Sequence, residues 1–214
     1  MSDADLIQGT DEWRRARAGS LGASSLSLAL ARTRTGWGAS RANIMADLIG
    51  ERLTGAARSG YVSPAMQHGT DTEAEARSVY EMASGVSVGL VGLVRHPEIT
   101  GTHASPDGRV GALGLVEIKC PETAQHLATL LGEPPAHRYW LQCQWQMECD
   151  GREWCDLVSY DPRLPEDLRL HITRIERDDE KLGEIRDQVL EFLTELEGKL
   201  SRLNAMYRRA EAAE

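Results

Sequence analysis

The constraint that most narrows the fold lies between residues 105 and 121. Ser105-Pro106-Asp107-Gly108 is followed, after an interval with glycine at 111 and 114, by Leu115-Val116-Glu117-Ile118-Lys119-Cys120-Pro121. This stretch reads as two adjacent strands joined by a turn at Gly111 to Gly114, with Asp107 on one and Glu117 and Lys119 on the other. Side chains alternate along a strand, so Glu117 and Lys119 share one face of the sheet. That face is where a metal would be held.

The residue types suit that task. Mg²⁺ takes hard oxygen ligands and keeps several waters, so one or two carboxylates on a rigid strand hold it beside a phosphate. Asp107 and Glu117 fit that need. A lysine two residues from Glu117 could orient or deprotonate a water, or neutralise charge building on the phosphate. Arginine could neutralise but could not serve as a base, because it keeps its proton near neutral pH. Of 24 basic residues only Lys119, Lys181 and Lys199 are lysines, so the amine at 119 is a departure from the chain's habit. Against this, Asp-Gly is an ordinary turn dipeptide and Glu-x-Lys ordinary strand-surface patterning. The flanking sequence decides between the readings.

Pro106-Asp107 followed by Glu117-Ile118-Lys119 resembles the PD-(D/E)xK nuclease core. More closely, the chain resembles the phage lambda exonuclease, or YqaJ-type viral recombinase, family. The resemblance runs from about Gln8 to the C-terminal helix. In order it comprises Gln8-Gly9-Thr10-Asp11-Glu12-Trp13 with Arg17 and Ala23-Ser24, then His68-Gly69 with Glu73 and Ala76-Arg77. After the two central motifs come Tyr139 with Gln142 and Gln144, and Tyr160-Asp161-Pro162.

The resemblance implies an α/β fold with a mixed central β-sheet flanked by helices. It implies Mg²⁺-dependent digestion of double-stranded DNA from 5′ to 3′, releasing mononucleotides and leaving a 3′ single strand for recombination. Asp107 and Glu117 would bind metal, with the backbone carbonyl of Ile118 as a further ligand and two ions per site, Mn²⁺ substituting for Mg²⁺. Lys119 and Gln142 would position or activate water, and Glu73 would assist. Arg17, Ser24 and Ser105 would hold the phosphate. The partners implied are double-stranded DNA ends, a single-strand annealing protein and further copies of the chain, as in the ring-shaped trimers of the family. In one place the sequence departs from the lambda enzyme: Gln125 stands where that enzyme has an arginine for the 5′ phosphate. Either another arginine, such as Arg32 or Arg34, supplies the charge, or the preference for phosphorylated ends is weaker.

Composition sets outer bounds. The 214 residues suffice for one domain, 1–214, with a full core. No apolar run reaches the length of a membrane span and the N-terminus lacks a signal-peptide pattern, so a cytoplasmic protein is expected. The four cysteines form no CxxC pair, which disfavours zinc. A cluster on Cys143, Cys149 and Cys155 is disfavoured by their wide, regular spacing. The net charge of −9 is unusual for a nucleic-acid binder, but its distribution is uneven. Residues 1–60 carry net +2 and residues 61–160 net −7. The arginines of the first third would grip DNA, and metal would offset the acidic centre.

Along the chain, Asp11 to Ala18 reads as a helix capped by Thr10 and anchored by Trp13. Gly22 to Ala31 reads as a second helix, Arg32 to Trp37 as a loop without an assigned role, Ala42 to Leu53 as a helix and Arg58 to Ser63 as a loop. Pro64 to Ala83 forms a longer helix, with Met66, Ala76, Val79 and Tyr80 inward. Glu75 is the natural control for Glu73. Val86 to Arg95 alternates as a strand. Helices follow at Thr123 to Leu131 and His137 to Glu148. Gln142, Gln144 and Gln146 cannot all face one site at about 100° per residue; Gln146 is the companion of Gln142, and Gln144 is helix surface. Strands at Glu153 to Tyr160 and Leu168 to Arg177 precede a helix from Asp178 to Arg209. Its seam of Leu182, Ile185, Val189, Phe192, Leu196, Leu200 and Leu203 would pack on the sheet or on another subunit.

Two rival functions share this sequence. A structure-specific or restriction-like endonuclease would use the same core, and a catalytically silent DNA-binding module would keep the fold without the chemistry. The intact Asp107, Glu117 and Lys119 set argues against the second.

Overall fold

A computed structural model describes residues 2–58 and 63–207, with backbone only at 65 and 66. In chain order the first elements are α1 (Asp11–Arg17), β1 (Leu21–Gly22), α2 (Leu26–Ala29), β2 (Arg32–Thr33), β3 (Gly36–Trp37), α3 (Ala39–Thr54) and α4 (Pro64–Ser84). The strands β4 (Val88–Gly89), β5 (Val94–Arg95), β6 (Thr102–Ala104), β7 (Gly108–Val110) and β8 (Gly114–Lys119) come next. They are followed by α5 (Thr123–Leu130), α6 (His137–Asp150), β9 (Trp154–Tyr160), β10 (Leu170–Glu176) and α7 (Asp179–Tyr207). Among these residues no helix is long and apolar enough to cross a membrane.

The fold is mixed α/β. Its main sheet has the order β10-β9-β8-β7-β4, with β8 and β9 parallel and the other pairs antiparallel. A smaller sheet, β1-β6-β5, pairs β1 with β6 in parallel. Alternation along β8 assigns its two faces. Leu115 packs with Cys143 and Met147 of α6, whereas Val116 and Ile118 pack with Ala76 and Tyr80 of α4. Glu117 and Lys119, in phase with Leu115, therefore lie on the α6 side. The sheet thus has α6 on one face and α4 on the other, and the two candidate residues lie on the α6 side.

Several sequence expectations are met closely. Thr10 Oγ1 accepts from Trp13 N at 3.3 Å, capping α1, whose acidic start and basic end complement the helix dipole. Others are corrected. The expected helix Gly22 to Ala31 is a short strand, a 3₁₀ turn at Ala23–Ser25 and the brief α2, because residues 21 and 22 pair with β6. Arg32 to Trp37 is a small hairpin held over α7, with Trp37 between the guanidinium groups of Arg32 and Arg41, each 3.8 Å from the ring centroid.

The expected strand Val86 to Arg95 divides into β4 and β5, which belong to different sheets. Its middle is captured by the N-terminal segment: Gly92 N and Leu93 N donate to Ala4 O and Asp3 O at 2.8 and 3.0 Å. Only glycine allows that approach, since a Cβ at residue 92 would lie 2.0 Å from Leu6 O. Asp107 precedes β7 rather than lying within it.

The seam of α7 also finds a different partner. Leu182, Ile185, Val189, Phe192 and Leu196 pack with Leu21, Leu26, Met45, Leu141 and Trp145, so the helix lies on other helices rather than on the main sheet. Leu200 is half-buried and Leu203 exposed. Most of the expected loop Arg58 to Ser63, the Met66 side chain and the last two residues of the expected helix to Arg209 lie outside the described residues.

Candidate active site

The site is assembled at the β7–β8 hairpin. Gly108 is opposite Val116 in the antiparallel register, and one further step sets Asp107 across from Glu117. The Asp107 carboxylate is held by Ile118 N, which donates to its Oδ2 at 2.6 Å. Glu117 is only 2% exposed. Its Oε1 accepts from Gln142 Nε2 at 2.6 Å and its Oε2 from Gln146 Nε2 at 2.6 Å. Lys119 Nζ also donates to Oε1 and lies 5.2 Å from the centroid of the Tyr139 ring. Two glutamines one turn apart on α6 therefore fix the carboxylate plane of Glu117 from above the sheet.

The third glutamine behaves otherwise. Gln144 is buried rather than on the surface: it donates to Glu176 O at 2.7 Å and accepts from Asp178 N at 3.0 Å. It ties α6 to the junction of β10 and α7. Glu75 is likewise not idle, since it accepts from Tyr160 Oη at 2.7 Å. As a control for Glu73 it reports on packing as well.

Burial raises the Asp107 pKa well above the usual carboxylate range. The charges of Glu117 and Glu73 add to this effect, while Lys119 and the Ile118 N–H oppose it. Burial would lower the Lys119 pKa, but the Glu117 and Asp107 carboxylates outweigh it and hold the amine above its ordinary value. Lys119 is a cation and hydrogen-bond donor in this arrangement. With Asp107 ionised, one ammonium beside two facing carboxylates leaves a negative charge unbalanced, and a divalent cation would offset it. Among the described residues no group of three or more His, Cys, Asp and Glu gathers for a metal. Two carboxylates with a backbone oxygen suit an ion such as Mg²⁺, which retains waters.

Asp107 and Glu73 line a cleft of about 1460 Å³ that Arg14, Arg15, Arg17, Arg58 and Arg77 line as well. Glu73 accepts from Arg77 Nη2 at 3.0 Å. The profile of the YqaJ-like viral recombinase domain matches residues 12–153, a span that includes this centre and the cleft arginines Arg14, Arg15 and Arg17. The chain belongs to the YqaJ-like viral recombinase domain family.

Two solved structures sharing nearly half its residues resemble this YqaJ-like chain over most of their length. An alkaline exonuclease from Laribacter hongkongensis is 47% identical, with 92% of this chain and 97% of that one covered at a TM-score of 0.84. A structure of the same exonuclease in complex with dAMP is 46% identical over the same shares, at 0.85. A phage-related exonuclease from Haemophilus somnus, at 15% identity, 86% and 96% coverage and a TM-score of 0.66, shares the fold. No curated protein sequence matches significantly.

The remaining candidate residues of the YqaJ-like chain are dispersed around the cleft. Arg17 lines it, with its guanidinium carbon 3.9 Å from the centroid of the Trp13 ring. Ser24 is exposed and Ser25, not Ser24, lines the cleft. Ser105 Oγ is buried without a hydrogen-bond partner, which leaves a polar group two residues before Asp107 free for a ligand.

Gln125 lies on α5 and lines a separate cavity of about 180 Å³ with Lys119. Arg32 is turned to Glu191 of α7 at 3.8 Å, and neither it nor Arg34 lines the cleft, so neither compensates for Gln125 there. The cysteines do not converge: Cys143 and Cys155 share one part of the core and Cys149 another, all as free thiols. Two cleft residues gave no signal in the sequence. His103 and Ser20 are joined to Arg17 through contacts 86 and 83 residues apart in the chain, beyond any local spacing rule.

Proposed function

We propose that this nuclease of the YqaJ-like family digests double-stranded DNA from its 5′ ends in a Mg²⁺-dependent reaction, releasing mononucleotides and leaving a 3′ single strand. The observation that carries the reading is the grip on Glu117 by Gln142, Gln146 and Lys119, with Asp107 facing it. Such a buried, pre-oriented carboxylate pair has no evident packing purpose, and the 47% identity to an alkaline exonuclease and the dAMP complex of that protein point the same way.

In this reading Asp107, Glu117 and the Ile118 carbonyl hold the cation, two ions when the site is filled, with Mn²⁺ able to replace Mg²⁺. A divalent cation there supplies activation of water and offsets charge on the phosphate oxygens. Gln142 and Gln146 keep the Glu117 oxygens aimed, so little reorganisation accompanies reaction. Lys119 places a positive charge where the phosphoryl group becomes more negative, and Glu73 adds a carboxylate at the edge. Arg17, Ser24 and Ser105 hold a DNA phosphate. Water adds to phosphorus, the bond from phosphorus to the 3′ oxygen of the terminal nucleotide breaks, and a proton given up by the water is carried to that leaving oxygen. The chain acts as one domain, 1–214, in the cytoplasm, as a homo-oligomer such as a ring trimer, and hands its 3′ strand to a single-strand annealing protein.

A linear duplex labelled at either end, digested with and without Mg²⁺, tests this. Early release of the 5′ label only with Mg²⁺, at a rate at least about a hundredfold lower for Lys119→Ala, is expected. Early release of the 3′ label reverses the polarity. Cutting of a covalently closed circle identifies an endonuclease instead, and DNA binding without any Mg²⁺-dependent product identifies a silent module.

A further inference from the structure

The cleft arginine at the end of α1 is held on more sides than a surface residue needs. Trp13 lies under its guanidinium, and Arg17 Nε donates to His103 Nε2 at 3.1 Å. His103 is 2% exposed on β6, and its Nδ1 is 2.9 Å from Ser20 Oγ. A neutral imidazole that accepts at Nε2 carries its proton on Nδ1, so Nδ1–H donates to Ser20 Oγ. Burial first, then the charges of Arg17 and Arg95, push the His103 pKa down to about 3, so the ring stays neutral at any pH near neutrality. Glycine at 22, paired with His103 across β1 and β6, leaves room: a Cβ there would lie 3.1 Å from His103 Nε2 and 3.5 Å from Arg17 Nη2.

The choice of a neutral acceptor matters. A carboxylate on Arg17 Nε would fix the side chain equally well but would cancel the charge that attracts a phosphate. Histidine fixes it without adding a second carboxylate to Glu51, whose charge already acts on Arg17. Nη1 and Nη2 make no hydrogen bond to a described residue, and Arg17 lines the same cleft as Asp107. With Nε occupied and one face on an indole, the two terminal nitrogens remain for a bidentate contact.

We propose that His103, held by Ser20, is a positioning residue that orients the Arg17 guanidinium toward a DNA 5′-phosphate and so sets how strongly phosphorylated ends are preferred. The inference rests on the phosphate role given to Arg17 under the proposed function.

The test is the ratio of kcat/KM on a linear duplex with 5′-phosphate ends to that with 5′-hydroxyl ends, measured with Mg²⁺. Loss of one charge-assisted hydrogen bond corresponds to about a tenfold change, so His103→Leu is expected to lower the ratio about tenfold. His103→Gln, which returns an acceptor near the Nε2 position, is expected to restore most of it. Arg17→Ala should lower the ratio at least as far as His103→Leu. If His103→Leu does not fold, Ser20→Ala, which frees the ring without removing it, should lower the ratio by a smaller factor, and an unchanged ratio there overturns the inference.

An unchanged ratio in His103→Leu, or no recovery in His103→Gln, overturns the role of His103 while a loss in Arg17→Ala leaves the phosphate role standing. An unchanged ratio in Arg17→Ala overturns both. Failure of the wild type to digest either duplex with Mg²⁺ overturns the nuclease reading itself.

Discussion

At the scale of single residues, three glutamines on one helix show how far sequence periodicity reaches. Residues 142 and 146 fall on one face by the 100° advance of a helix, and both donate to Glu117. The same rule removes Gln144 from that face, but it cannot say whether the opposite face meets water or protein. The buried bonds of Gln144 to Glu176 and Asp178 depend on where a distant β10–α7 junction packs. Gln146→Ala is expected to lower kcat roughly ten- to a hundredfold and Gln144→Ala to leave it nearly unchanged, each costing about 1–3 kcal/mol of stability because both amides are fully buried. Kinetics and thermal unfolding of the two variants check this; equal kcat losses would place both at the reacting phosphate.

His103 adds a pH dependence. Its folded-state pKa of about 3 lies below the ordinary 6.5, so the unfolded chain binds more protons as pH falls below 6.5. Its contribution to stability is therefore full above pH 6.5 and lost on acidification, by about 2 kcal/mol at pH 5. Denaturant unfolding at pH 7.5 and 5 should show that loss in wild type and a smaller one in His103→Gln.

At the scale of elements, the long periodic segments and the hairpin at 105–119 were legible because each carries its own pattern over many residues. The short β1, β4 and β5 were not, since two-residue strands have no period and exist only through partners remote in sequence. Helix α6 joins the legible and the illegible parts. One face supplies Gln142 and Gln146. Two residues beyond Gln146, and so on nearly the opposite face, Glu148 accepts from Arg186 Nε at 2.5 Å and pairs with Arg177, docking α6 to α7 and to the end of β10.

Burial works against the Glu148 charge, but the hydrogen bonds from Arg186 and Arg177 prevail and lower its pKa. Glu148→Ala removes the carboxylate shared by Arg186, which is partly exposed to water, and Arg177, which keeps Asp179, and is expected to cost about 1–2 kcal/mol. For a chain of this size that is a fall in Tm of roughly 2–8 °C. Calorimetry measures it. An unchanged Tm would mean that the pairs merely balance their own desolvation.

At the scale of the whole molecule, an acidic chain of a nuclease family has to accommodate an anionic polymer. Arg14, Arg15, Arg17, Arg58 and Arg77 line the cleft, but Asp5, Asp11, Asp47, Glu51, Glu73 and Asp107 line it too, so under the proposed function a cation at Asp107 and Glu117 would tip the balance toward the DNA backbone. Binding of Mg²⁺ should then stabilise the folded chain even without DNA, because the unfolded chain cannot bring the two carboxylates together. With the cation at about ten times its Kd the gain is about 1.4 kcal/mol, or roughly 3–6 °C in Tm. Asp107→Asn removes a carboxylate whose charge is costly where it lies. Its Tm without metal should therefore equal or exceed that of the wild type, and added Mg²⁺ should no longer raise it. Thermal unfolding of both proteins with and without Mg²⁺ separates the possibilities without reference to turnover. An equal rise in wild type and Asp107→Asn would place the ion elsewhere, and the facing carboxylates would then have to be explained by the electrostatics of the hairpin alone.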